Sequence, residues 1–447
     1  MIQYTDASGT VQAVIFEVSM NDAPALLGVL RARAPQASVE VKRTSVRVRV
    51  GSGDIVPPMR TSLGWSRAAF FLAFVGVGVS AAMGQNNDRV VGLLEKLSNA
   101  AGPPGAEESV RAIMVGEMKP LATEPLKYDG TGSVIAQQGK TGPRIMIDAH
   151  MDELGGMVRR VTPTGFLSMQ MLGGWLDQAL VDQRWVIIGS KGPVHAVTGI
   201  RDIHVITPEE RTRVFPRDSV FLDIGAKNAA EVRAMGVEPG DPVVPDSPFM
   251  VMNGTKNYLG KGWDDRIGCA VLLEAMRRTA SMPHENQLFY VATTQEEVGL
   301  RGARAAVNVV KPDIGIAIEG GITGDMPGAR PEETQVKLGA GPGMFLYDSS
   351  TIANRKMVAF TRRAAQAKGL PLQTDLVQGY GDDSAEMQTM DGGSPTINLV
   401  VPVRYTHSHN GIVNRQDFDQ AVELVVAMLV QMDAKTVEEL RDFSPAP

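Results

Sequence analysis

RIMIDAHMDELG, residues 144–155, decides the fold class. Pro143 leads into a short apolar run that ends at His150, which is the signature of a buried strand. Polar, metal-competent residues follow immediately. Upstream, DRVVGLLEKLSNAAG and EESVRAIMVGEM carry apolar residues at helical spacing and read as amphipathic helices. Downstream of Gly155 the texture changes. GMVRRV, GFLSMQM, RWVIIGS and HAVTGI are short β-rich runs separated by Gly and Pro turns, as in a small all-β domain reaching about Asn257. Helix–strand alternation then returns. RIGCAVLLEAMRRTA predicts a helix, QLFYVAT and DIGIAI predict strands, and NRKMVAFTRRAAQAKG predicts a helix ended by Gly369. INLVV predicts a further strand, and DFDQAVELVVAMLVQMDA a last helix. The sum is an α/β domain over residues 85–156 and 258–440, interrupted by an inserted β domain over 157–257.

Composition bounds the function. The chain has 447 residues, 43% hydrophobic and 21% charged, enough for a sizeable core and two or three domains. The net charge is −6 and no basic run interleaves with aromatics, so nucleic acid is not an expected partner. The single cysteine, Cys269, excludes an internal disulfide framework and a cysteine-rich zinc site. Any metal must be held by carboxylates and by the six histidines, His150, His195, His204, His284, His407 and His409.

The N-terminal region is of another kind. Residues 59–84 open with MRTSLGWSR, continue as the apolar run AAFFLAFVGVGVSAA and end in small residues, the layout of a secretory signal peptide. The run is short for a membrane span, and its glycines and β-branched residues suit a buried helix poorly. Such a signal acts only at a true N-terminus. We therefore expect Met59 to be the biological start, residues 1–58 to be an extension of uncertain status, and Gln85 to begin the processed chain. On that start the protein is exported, periplasmic or extracellular, with no membrane span after processing. On a start at Met1 it is cytoplasmic. Residues 1–58 themselves hold strand-like runs, TVQAVIFEV and SVEVKRTSVRVRV, around a helix-like DAPALLGVLRARA.

Four motifs follow predicted strands of the α/β part: AHMDELG (149–155), TTQEEVGLRGA (293–303), IEGGITGDMPG (318–328) and RYTHSHNG (404–411). A fifth, GKGWDDRIGC (260–269), opens a helix. Residues after parallel strands collect along one sheet edge, where open α/β folds place their sites. His150 and Asp152 are two apart at a strand end and face the same side. Alone, such a pair is more often a hydrogen-bonded surface pair than a metal site. Glu296 and Glu297 are more telling, because two adjacent carboxylates in a Gly-containing loop after an apolar strand are poorly explained as a solvated face. Hydrolysis at a metal needs one carboxylate as ligand and another as general base. Asp264 and Asp265 form a second acidic pair, and one carboxylate can bridge two cations about 3.5–4 Å apart. With Glu319 and His407 these residues supply two imidazoles and three carboxylates as ligands for two divalent metals.

AHMDELG, WDDRIGC, TTQEEVGLRGA, GDMPG and RYTHSH together resemble the tetrahedral aminopeptidase family, also called glutamyl or deblocking aminopeptidases and sometimes endoglucanase-like. The resemblance spans about Asp88 to Glu439 and leaves out residues 1–84. It implies a mixed-sheet dinuclear metallopeptidase domain with the inserted β domain in an oligomerisation role. It implies that His150, Asp264 and Glu319 hold one metal and that Asp264, Glu297 and His407 hold the other, with zinc or cobalt as the ions. Asp152 orients His150, and Glu296 is the general base toward a water that bridges the metals. It further implies a cis peptide between Asp264 and Asp265, peptide substrates with a free N-terminus, and a homo-oligomer built from dimers up to a dodecamer. Glu319 departs from the pattern, since many members carry Asp there, and so does the export signal, in a family associated with the cytoplasm.

Other readings compete. A deacylase or another metal-dependent amide hydrolase could use the same ligands. A glycosidase needs two carboxylates and no metal, which would leave the histidines idle. A binding module descended from an enzyme should have lost a ligand or the base, and none is lost. His195, His204 and His284 lack motif context and read as structural or surface residues. His409 could line the pocket beside His407, and Asp383 in GYGDDSAE resembles a family loop near the substrate.

Overall fold

The computed structural model describes residues 88–444 and four short strands before them. Tyr4–Thr5 pairs with Val11–Gln12, and Ala37–Lys42 with Ser45–Val50. Val11–Gln12 and Ser45–Val50 fall within the strand-like runs of the N-terminal region, and Ala37–Lys42 overlaps one of them. The helix-like DAPALLGVLRARA and the signal-like segment 59–84 lie outside the described residues. Met1–Met83 and Gly84–Pro447 form separate compact units. All five motifs belong to the second unit.

Its backbone is an 11-stranded mixed sheet. At the centre Ile314–Ile322 runs parallel to both Arg144–His150 and Thr396–Arg404, and Gln287–Thr293 runs parallel to Arg144–His150 on its other side. Such strands are covered on both faces and read as continuous apolar runs, as RIMIDAH does. The alternation of side chains across the sheet is visible in that strand. Ile145, Ile147 and Ala149 join the large core on one face, while Met146 joins a second core with Phe289, Val291, Ala306 and Val307 on the other. The helix Trp263–Thr279 crosses the first face, packed against the sheet and against helices Arg89–Asn99, Glu108–Met118 and Arg415–Gln431. Its near-complete burial explains why GCAVLLEAM shows no polar stripe. The opposite face is covered by Arg301–Val310, an amphipathic helix that continues directly from TTQEEVGLRGA.

The inserted unit is a closed barrel of six strands, Gly155–Val161, Leu167–Leu172, Arg184–Gly189, Gly192–Gly199, Phe221–Asp223 and Pro242–Pro245. Leu167, Trp185, Ile187, Leu222 and Val243 fill its interior. The expected span of 157–257 is too long at its far end. Met250–Val251 and Asn257–Gly260 already belong to the main sheet, where Asn257–Gly260 pairs with Gly411–Asn414. A β-rich texture cannot show which sheet a strand joins, because the pairing partner lies more than a hundred residues away.

Candidate functional site

Because the four central strands are parallel, their C-terminal ends and the loops beyond them share one edge of the sheet. His150 ends the strand Arg144–His150, and Glu296 and Glu297 follow Gln287–Thr293. Glu319 lies inside Ile314–Ile322, three residues before its end, and His407 lies in the turn after Thr396–Arg404 with φ 56°. Asp264 comes from the start of the helix Trp263–Thr279, where Asp264 and Asp265 depart from helical φ/ψ and the peptide between them is cis, as the resemblance implied. Asp265 turns back locally, its Oδ1 accepting from Gly268 N–H at 2.9 Å. A buried ion cluster pins this turn: Lys261 Nζ lies 2.6 and 2.8 Å from the Glu153 carboxylate oxygens, and Arg266 Nη2 lies 3.3 Å from Glu153 Oε1. Burial lowers Lys261 to about 8 despite the Glu153 carboxylate. Removing one member of such a buried set costs about 3–5 kcal/mol, because the others keep their charge without a partner.

The two imidazoles are held alike. His150 Nδ1 is 3.0 Å from the Asp152 backbone carbonyl, and His407 Nδ1 is 2.8 Å from the Gly174 carbonyl. A carbonyl only accepts, so Nδ1 carries a proton in both rings, and Nε2 is the nitrogen that a metal would take once its own proton is lost. Asp264 lies between them, with Oδ1 3.2 Å from His150 Nε2 and Oδ2 3.3 Å from His407 Nε2. Glu319 Oε2 is 3.6 Å and Glu296 Oε2 3.8 Å from His150 Nε2, and Glu297 Oε2 is 3.8 Å from His407 Nε2. Donor atoms of His150, Asp264 and Glu297 all lie within 4.8 Å of one another. Among the described residues, the buried Glu297 Oε1 and Glu319 Oε1 have no hydrogen-bond partner.

These groups perturb one another. Burial drives Glu296 and Glu319 well above the usual carboxylate range and lifts Glu297 to about 8. Burial opposes the protonated imidazoles, yet Glu319 and Glu296 raise His150, and Asp264 and Glu297 raise His407 to about 9. Burial also works against ionised Asp264, but hydrogen bonds from His150 and His407 hold it well below its ordinary value. Crowded buried carboxylates with orphaned oxygens, facing the Nε2 atoms of two imidazoles, are the condition that a divalent cation relieves. The residues present fit such an ion.

Asp152 approaches His150 mainly through its backbone; its carboxylate is 3.6 Å from Nδ1. The Asp152 side chain instead grips the next loop, Oδ1 accepting from Glu296 N–H at 3.0 Å and Oδ2 from Glu297 N–H at 3.1 Å. The adjacent glutamates are thereby fixed with their side chains diverging, one toward each imidazole.

The barrel also reaches the site, which no sequence motif signalled. Gly173 sits at φ 84°, and a Cβ there would lie 2.1 Å from Leu154 Cδ2 and 3.0 Å from Glu297 Oε2. A Cβ on Gly174 would lie 3.2 Å from His407 Nδ1. The glycines let the barrel loop between Leu167–Leu172 and Arg184–Gly189 touch two candidate ligands. A cavity of about 260 Å³ opens over the cluster, with Asp264, Glu296, Glu297, Glu319 and His407 in its wall beside Gly174, Leu300, Gly379, Tyr380 and Gly381.

Several singled-out residues fall elsewhere. His409 is buried between Trp175 and Trp185, with ring centroids 5.3 and 4.2 Å away. Among the described residues neither nitrogen has a partner, and burial lowers it to about 4, so it packs rather than ligates. Asp383 lies beneath the cavity, accepting from Thr293 Oγ1 at 2.5 Å, and burial raises it to about 7. In that loop Tyr380, not Asp383, lines the cavity. His195 is an exposed partner of Asp246, His204 is exposed, and His284 Nδ1 bonds the Asn286 carbonyl.

Two imidazoles and a cluster of buried carboxylates on the strand-end edge of a mixed sheet define a metal-dependent hydrolase. The sequence model for M42 glutamyl aminopeptidases matches residues 132–424, and the chain belongs to that family. It is a metal-dependent aminopeptidase. It is 31% identical over 362 residues to the lysyl aminopeptidase of Pyrococcus furiosus, covering 79% of this chain and 99% of that one. Among solved structures it resembles the TET aminopeptidase of a marine-sediment thaumarchaeote, with TM-score 0.78 and 38% identity over 80% of this chain and all 100% of the other. It also resembles the TET1 peptidase of Pyrococcus horikoshii, described as assembling into a tetrahedron or a large octahedral shell, with TM-score 0.70 and 30% identity over 77% of this chain and 100% of that chain. Among the described residues no helix is long and apolar enough to cross a membrane.

Proposed function

We propose that His150, Asp264 and Glu319 hold one divalent cation, that Asp264, Glu297 and His407 hold a second, and that Glu296 is the general base in cleaving the N-terminal peptide bond. The observation that carries this reading is Asp264, whose two oxygens face the Nε2 atoms of two separately anchored imidazoles. When bound, the cations polarise the scissile carbonyl and lower the pKa of water at the site. Glu296 reaches the same space, with Oε2 3.8 Å from His150 Nε2. As a carboxylate, Glu296 would accept a proton from the attacking water and return it to the leaving amine. Asp152 keeps Glu296 and Glu297 apart in their two roles. A donor set of imidazole and carboxylate suits zinc or cobalt. The likeness to the TET peptidases supports a homo-oligomer built from dimers, with the inserted barrel in its assembly. Every proposed ligand lies between His150 and His407, so the chain from Gln85 suffices for activity.

The test is metal removal followed by resupply of zinc, cobalt or manganese, read on a panel of aminoacyl-arylamides. Chelated protein should be inactive and a divalent ion should restore cleavage. Full turnover after verified metal removal overturns the proposal. Cleavage of N-acyl amino acids without cleavage of the arylamides moves the site to a deacylase.

A further inference from the structure

We infer that Glu107 is a positioning residue for Glu296. Glu107 is 1% exposed and stands just before the helix Glu108–Met118, 188 residues away in sequence from the loop it touches. Its Oε1 accepts from Gly105 N–H at 2.7 Å and from Gln295 N–H at 3.2 Å, and its Oε2 accepts from Arg111 Nη2 at 3.4 Å. The Glu296 and Glu297 N–H groups go to Asp152. Three successive amides, 295 to 297, are therefore held by two buried carboxylates from separate segments.

Gln295 needs that hold. Its φ is 56°, a left-handed backbone that a residue with a side chain adopts reluctantly. The reversal at Gln295 brings Glu296 Oε2 toward His150 and Glu297 Oε2 toward His407. Asp152 grips only the two amides after it. Without the Glu107 acceptor, the partly buried Gln295 N–H loses its partner and the left-handed turn loses its counterweight. The loop then relaxes at the residue that sets the direction of Glu296. The requirement is an acceptor oxygen at that reach, not a charge.

The inference rests on Glu296 being the base, so Glu296→Gln is run beside the variants of Glu107. Glu107→Asp retracts the oxygen by one methylene, whereas Glu107→Gln keeps an acceptor in place. In the full chain with metals saturated, Glu107→Asp and Glu107→Ala should lose about 10- to 100-fold in kcat, while Glu107→Gln stays within about threefold of the parent protein. KM and bound metal should not change. Wild-type kcat in Glu107→Asp overturns the inference. So does a loss in Glu107→Gln as deep as in Glu107→Ala, or a loss of bound metal in parallel with kcat. Turnover retained by Glu296→Gln instead overturns the assignment of the base and leaves the clamp a loop anchor only.

Discussion

Asp152→Asn isolates the grip on the glutamate loop. The buried carboxylate accepts two backbone N–H groups, at 3.0 and 3.1 Å. Hydrogen bonds to a charged partner contribute about 1.5–3 kcal/mol each. Asparagine keeps one acceptor oxygen and turns an NH2 group toward the other amide, leaving a buried donor unsatisfied at a cost of about 1–3 kcal/mol. The native arrangement of the loop should therefore weaken by about 2–4 kcal/mol. If that cost is carried into the transition state, at about 1.36 kcal/mol per decade, kcat falls roughly 30- to 1,000-fold. His150 should keep its tautomer, because its Nδ1 bonds the Asp152 backbone carbonyl, which survives the substitution. Metal content should stay near that of the parent protein. The assay is steady-state kinetics on an aminoacyl-arylamide with metals saturated, alongside metal analysis and thermal unfolding. A kcat within about threefold of wild type would refute the reasoning.

Two more outcomes come from the same geometry. Gly174→Ala places a Cβ 3.2 Å from His407 Nδ1 and should shift that ring by a few tenths of an ångström, lowering the affinity of one metal about tenfold in chelator competition. Unchanged affinity at both sites would mean the barrel does not position His407. Metal affinity of the stripped protein should rise as pH goes from about 6 to about 9. The sign follows from Glu297 at about 8 and His407 at about 9, both of which must lose protons to coordinate. Loading at pH 7 should therefore release protons into a weakly buffered solution, and calorimetry in buffers of different ionisation enthalpy reads that release. An affinity flat across this range would contradict the assigned ligands.

Much of the site was legible in the sequence because the parallel strands carry their chemistry at or beyond their ends. RIMIDAH, QLFYVAT and INLVV are apolar runs whose following residues must gather on one edge, so His150, Glu297 and His407 could be brought together without coordinates. Other features depend on contacts between distant segments. Glu107 sits in an ordinary helix entry, and only the structure shows its carboxylate under Gln295. The Gly173–Gly174 pair reads as a turn in a β-rich run, yet it matters because Glu297 and His407 stand where side chains would project. His409, two residues from a candidate ligand, looks like one on spacing alone, but Trp175 and Trp185 enclose it. The far edge of the inserted barrel was missed for a related reason, since Asn257–Gly260 owes its place to Gly411–Asn414.

The central claim is that neighbouring glutamates divide the labour, Glu296 moving the proton and Glu297 holding metal. Metal stoichiometry and kcat measured together on Glu296→Gln and Glu297→Gln test it most directly. Glu296→Gln should bind two metal ions per chain and lose about 100- to 10,000-fold in kcat. Glu297→Gln should fail to retain the second ion at a concentration that saturates the parent protein. Equal metal loss in both variants, or a Glu296→Gln protein that turns over normally, would contradict the account.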